Sequence, residues 1–191
     1  MPRVCKIVLV CEGWRDSRFI RSFLQEAAVD PRKFDARENP GGSGHDWVKD
    51  EFVEAVAQLQ RFREGRGVIG LLDEDGQGIA ARRAAVVQCL AARGLPPLGS
   101  AEGRCLLLPT RNIETWLYWL ESNRANRGWA INEVTDYKET RPAGISRKET
   151  DALCQSAGAH LHSLNHTALP GDCPPMLADA LGQLRAFLSA L

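Results

Sequence analysis

The sequence has no excess of either charge: Lys and Arg total 24, Asp and Glu total 24, and the formal net charge is zero. That balance excludes a strongly basic nucleic-acid coat, so any contact with nucleic acid has to come from a local site. Long hydrophobic runs are also missing. The apolar run from Ile7 to Cys11 is far too short to cross a membrane and stops at Glu12. Six cysteines are present (Cys5, Cys11, Cys89, Cys105, Cys154 and Cys173), but no two form a Cys-x-x-Cys pair and no signal peptide is evident. They read as reduced, mostly buried small hydrophobes of a cytoplasmic protein. There is no internal repeat, no low-complexity tract and no Gly-x-x-x-x-Gly-Lys-Ser/Thr phosphate loop. His160, His162 and His166, with Cys154 and Cys173, lack a structural-zinc spacing; a plain helix surface explains them better.

What is present suits one α/β domain. A chain of 191 residues buries roughly 70% of its unfolded surface without needing a staple. Val4 to Cys11 reads as a buried strand, and Asp16 opens a helix carrying Phe19, Ile20, Phe23, Leu24 and Ala27 on one face. A short strand is expected over Lys33 to Glu38, a loop at Gly41-Gly42-Ser43-Gly44, and a helix through Val48 to Phe62. Val68 to Leu72 is the next strand, followed by a helix from about Gly78 to Arg93 that Gly94 closes in the left-handed conformation. Arg104 to Pro109 gives another strand, with a helix behind it holding Ile113, Trp116, Leu117 and Leu120. This alternation predicts a mostly parallel, doubly wound sheet flanked by helices over residues 1–122. Residues 123–191 read as a C-terminal helical cap: a polar, loop-rich stretch with room for a short helix, a helix opened by Ser146 and Glu149, and a terminal helix after Pro175.

In parallel open sheets the ligand site lies beyond the carboxyl ends of the strands, where strand order reverses. Glu12 ends the first strand, and Asp73 and Asp75 end the strand that starts at Val68. In extended chain Asp73 and Asp75 face one way and Glu74 the other. Carboxylates converging without cationic partners repel one another. A divalent cation removes the conflict, and oxygen-only ligation selects Mg²⁺ or Mn²⁺.

These residues resemble a family. Glu12-Gly13-Trp14-Arg15-Asp16 after a hydrophobic strand is similar to the Glu-Gly-x-x-Asp motif of TOPRIM domains, a Rossmann-like fold found in topoisomerases, bacterial primases and overcoming-lysogenization-defect (OLD) nucleases. Asp73-Glu74-Asp75-Gly76-Gln77-Gly78 resembles their Asp-x-Asp motif. Asn112-Ile113-Glu114-Thr115-Trp116-Leu117 resembles the helix motif of RloB-like TOPRIM proteins of phage-defence loci, and Gly41-Gly42-Ser43-Gly44 their glycine-rich loop. The resemblance covers about the first 122 residues.

It implies a Mg²⁺-dependent nuclease acting on DNA or RNA, in a defence setting that leaves room for an ATPase partner and for a homo-oligomer. Glu12 would be the general acid/base or a metal ligand, Asp73 and Asp75 would hold metal, and Glu114 would complete the shell. Arg15, Arg18 and Arg111 lie near the expected crevice as phosphate contacts, and Lys138 takes the place of the phosphate-facing lysine of OLD-type nucleases. Topoisomerase activity is not expected, since its tyrosine lies outside the TOPRIM domain and this chain has only Tyr118 and Tyr137. Plainer readings stand beside these. The Asp73–Gly76 stretch also suits a solvated turn; Asp16 reads better as a helix cap than as a ligand; Glu114 suits the helix dipole. Two rivals remain: a binding module that needs a partner or does no chemistry, and a haloacid-dehalogenase-type phosphatase. The phosphatase fits less well, because Gln77 stands where its usual Thr would be and another strand comes first.

Overall fold

The structure is a computed structural model that describes residues 7–41, 44–61, 66–74, 76–164 and 167–191. Four strands form one parallel sheet: β1 (Ile7–Cys11), β2 (Phe34–Glu38), β3 (Gly67–Leu71) and β4 (Arg104–Leu107), in the order β2-β1-β3-β4. The helices are α1 (Trp14–Glu26), α2 (Gly44–Leu59), α3 (Ile79–Ala92), α4 (Ile113–Ala125), α5 (Arg147–Ser163) and α6 (Pro175–Ser189).

The two faces of the sheet follow from the alternation of side chains along each strand. Ile7, Leu9, Cys11, Ile69, Leu71, Cys105 and Leu107 pack on one side with α1, α4, α5 and α6. Val8, Val10, Val68 and Leu106 point to the other side, where Val48, Phe52, Val53 and Val56 of α2 meet Val86 and Leu90 of α3. Because β1, β3 and β4 are covered on both faces, their sequences are continuous apolar runs rather than alternating ones. Edge strand β2 is different. Its Asp35, Arg37 and Glu38 interrupt the apolar pattern, and Arg37 holds Asp35 and the α2 residue Glu51 in ion pairs. Charges of this kind blunt an exposed edge against further strand pairing.

Most expected elements appear within a residue or two of their predicted bounds; the exception is α2, which starts at Gly44, four residues before the expected Val48, and takes in the last residue of the expected glycine loop. Gly94 has φ 62°, as the closing turn requires. Ser146 and Glu149 form the reciprocal capping box that opens α5. Leu72 and Leu108 continue beyond their strands as buried extended chain rather than strand. Phe62 and the predicted start of β1 lie outside the described residues, as do Gly42, Ser43, Asp75 and His166.

The C-terminal helices share the main core of the sheet. Cys154, Ala157 and Leu161 of α5, and Leu177, Leu181, Leu184 and Phe187 of α6, belong to the same apolar cluster as Phe19, Phe23 and Trp116. At the α1–α5 crossing a Cβ on Gly158 would overlap the Phe19 carbonyl, so only glycine lets the helices approach this closely. The stretch between α4 and α5 contains turns and no helix. It is fastened by Tyr137, which packs edge-on to Tyr118 at 5.6 Å between ring centres. Among the described residues no helix is long and apolar enough to cross a membrane.

Candidate functional site

The strand order places β2 and β3 on opposite sides of β1, so the crossovers diverge between β1 and β3. Register pairs Cys11 with Leu71, which puts Glu12 and Asp73 together just past the two strand ends. The Glu12 carboxylate accepts the backbone N–H of Asp73 at 3.1 Å (Oε1), and so lies across the mouth between the strands. The start of α2 closes in behind it: a Cβ on Gly44 would overlap Glu12 Oε2. The last residue of the glycine loop therefore has a steric role, letting the positive end of a helix approach a carboxylate.

Asp73 is 2% exposed. Its Oδ2 receives Lys138 Nζ at 2.6 Å, while the buried Oδ1 has no hydrogen-bond partner. Asp16 is also buried, with its carboxylate accepting the Gly13 amide at 2.9 Å. Burial pushes the Asp73 carboxyl well above its ordinary range; the charges of Asp16 and Glu12 push the same way, and Lys138 opposes them. Burial likewise raises Asp16 to about 7, with Glu12 and Glu114 adding to it against the Gly13 amide and Lys138. The charge of Glu12 thus makes both buried acids harder to ionise, and Asp16 does the same to Asp73.

Three residues beyond the end of β3, Glu74 turns into the following loop. Its carboxylate accepts the amides of Gly76 (2.9 Å) and Gly78, fixing the turn into α3. Burial pushes this carboxyl up, but the amides of Gly76, Gly78 and Arg111 outweigh that and leave it below its ordinary range. Arg111, in the left-handed region at φ 65°, thereby ties the β4–α4 loop to the turn that carries Asp73.

Glu114 is 2% exposed at the start of α4. Its Oε1 meets Arg15 Nη1 at 2.6 Å, and its Oε2 is buried without a partner. Arg15 also reaches Asp151 of α5 at 2.6 Å, so one guanidinium joins α1, α4 and α5. Arg18, one turn further along α1, donates to Gln155 at 3.4 Å.

The fold therefore brings Glu12, Asp73 and Lys138 into contact, sets Glu114 one step away behind Arg15, and leaves Arg18 and Arg111 on the flanks. Asp75 lies outside the described residues. Glu12, Asp73 and Glu114 do not close on one point: among the described residues no group of three or more His, Cys, Asp or Glu side chains is arranged to hold a metal ion. Asp16 does more than the helix cap its sequence position predicts. It does cap its own helix, but it is also a buried member of the acidic crevice. Its place four residues after Glu12, on the first turn after a strand end, was the available signal. Asp151 had no signal, because only the docking of α5 brings it to Arg15. His160 bonds Asn123 at 2.9 Å and His162 packs edge-on to Phe23, both ordinary helix-surface roles.

Set against known proteins, the chain matches no family model, no curated protein and no solved structure.

Proposed function

We propose that this crevice hydrolyses phosphodiester bonds in DNA or RNA with Mg²⁺ or Mn²⁺, as the TOPRIM-like motifs imply. The observation that carries the reading is the meeting of Glu12 and Asp73 at the point where strand order reverses, with Asp16 buried behind them. This donor set suits a hard divalent cation. It is all oxygen, and Asp73 Oδ1 is buried and unpartnered. Mg²⁺ commonly takes only one or two carboxylates and completes its shell with water and substrate phosphate.

Glu12 and Asp73 would hold the ion. When bound, it would polarise a phosphoryl oxygen and acidify a water. Asp16 fixes the turn that aims Glu12, through the Gly13 amide. Glu74 fixes the turn after Asp73. Lys138 offsets the charge on Asp73 until cation and phosphate arrive. A role in prokaryotic antiviral defence beside an ATPase belongs to the same proposal and rests on the motifs alone.

The test is Mg²⁺-dependent cleavage of single- and double-stranded substrates by the purified protein. Glu12→Gln with Asp73→Asn should abolish it. Cleavage that survives both substitutions would remove this mechanism. One observation favours a second reading, a binding module that waits for a partner: Lys138 already neutralises Asp73, and Arg15 already neutralises Glu114. Cleavage seen only after a partner is added, or never, would decide for it.

A further inference from the structure

The turn-rich stretch between α4 and α5 has no regular structure, yet it is firmly anchored. Tyr118 is fully buried and its hydroxyl meets Thr150 Oγ1 at 2.7 Å. Tyr137 and Trp129 both pack edge-on to its ring. That anchoring holds open a cavity of ≈ 300 Å³ whose lining includes Arg15, Glu114, Tyr137, Lys138, Arg141 and Arg147.

The charges in this cavity are not all spent. Arg15 is engaged by Glu114 and Asp151, and Lys138 by Asp73. Arg141 and Arg147 are exposed and form no ion pair among the described residues, although Glu139 also lines the cavity. Two uncommitted guanidiniums beside a polar cavity offer the forked donor geometry that phosphate oxygens accept. The cavity is large enough for a phosphate with its sugar. It also adjoins the acidic crevice directly, because Lys138 belongs to both: its ammonium sits on Asp73 and its side chain lines the cavity wall.

We infer that this pocket is a phosphate clamp. Arg141 and Arg147, supplied by the C-terminal part of the chain, grip a phosphodiester group of a nucleic-acid strand next to the one lying at Glu12 and Asp73. The identity of the ligand rests on the phosphodiester reading above; the clamp itself rests on the cavity and its arginines.

The experiment is fluorescence anisotropy of a labelled single-stranded oligonucleotide with the full chain in EDTA, so that binding is read without chemistry. Arg141→Ala with Arg147→Ala should weaken binding about tenfold or more, from the loss of two charge-assisted contacts. It should also flatten the dependence on salt by about two counterions. The double Arg→Lys variant should retain part of the affinity. Arg93→Ala, at the end of α3, should change neither quantity. Both clamp residues are exposed, so the urea midpoint should hold and separate lost binding from lost fold. Unchanged binding in the double Ala variant would overturn the clamp. So would displacement of the strand by inorganic phosphate at an equal concentration of phosphate groups, which would make a free anion the ligand. Cleavage that needs Glu12 and Asp73 while binding ignores the two arginines would sink the clamp and spare the proposed function. Arginine-dependent binding without any cleavage would do the reverse.

Discussion

Replacing Arg15 with Met should cost far more stability than a surface ion pair would. Exposed pairs contribute about 0 to 1 kcal/mol, but removing one partner of a buried pair strands a charge and costs about 3 to 5 kcal/mol. Glu114 is 2% exposed, and the Arg15 side chain 21%. One Glu114 oxygen already lacks a hydrogen-bond partner, so nothing in the structure stands ready to replace the guanidinium. The solvent access of Arg15 argues for the lower end of the range. With a urea slope of about 2 kcal/mol per M, a loss of about 3 kcal/mol moves the midpoint by about 1.5 M. Asp151 is one-third exposed, so Asp151→Asn should cost under about 1 kcal/mol. The decisive comparison is Arg15→Met with Glu114→Gln. A neutral amide leaves no stranded charge, so the double variant should recover most of the loss. If the single variant shifts the midpoint by less than about 0.5 M, or the double is as unstable as the single, Glu114 is not a desolvated charge held by Arg15.

Three further outcomes follow from the packing around the crevice. Gly44→Ala should disable the site more than it disturbs the fold, because the new Cβ overlaps the Glu12 carboxylate; retained Mg²⁺-dependent cleavage with unchanged metal titration would refute this. Gly158→Ala should destabilise by about 1 to 3 kcal/mol, because overpacking against the Phe19 carbonyl outweighs the helix propensity gained. A rise in melting temperature would show that α1 and α5 are not pressed together there. Glu74→Gln should weaken the turn into α3 and speed hydrogen exchange at the Gly76 and Gly78 amides, since a neutral amide accepts from them less strongly than a carboxylate; unchanged protection factors would count against it.

How much of this was legible in the sequence depended on how local the cause was. The apolar runs at residues 7–11 and 68–72 announced buried strands, and continuous rather than alternating apolarity marks strands covered on both faces. Ser146 and Glu149 announced the start of α5 because a capping box is satisfied within four residues. Glu12 and Asp73 were readable as strand-end acids, and parallel topology then puts strand ends together. Glu114 was harder. Its sequence position fits a dipole-complementing carboxylate, and nothing nearby along the chain signals that Arg15, 99 residues earlier, would hold it.

The sequence by itself therefore announced the parallel α/β scheme and marked Glu12 and Asp73 as strand-end acids, since periodicity and turn residues act over short stretches. Tertiary structure alone decided which charges are spent and which remain. Lys138 lands on Asp73 and Arg15 on Glu114 and Asp151, while Arg141 and Arg147 keep open guanidiniums, because the turn-rich stretch after α4 is anchored on Tyr118 and α5 docks on α1. Long-range docking has no period and no spacing in the chain to give it away.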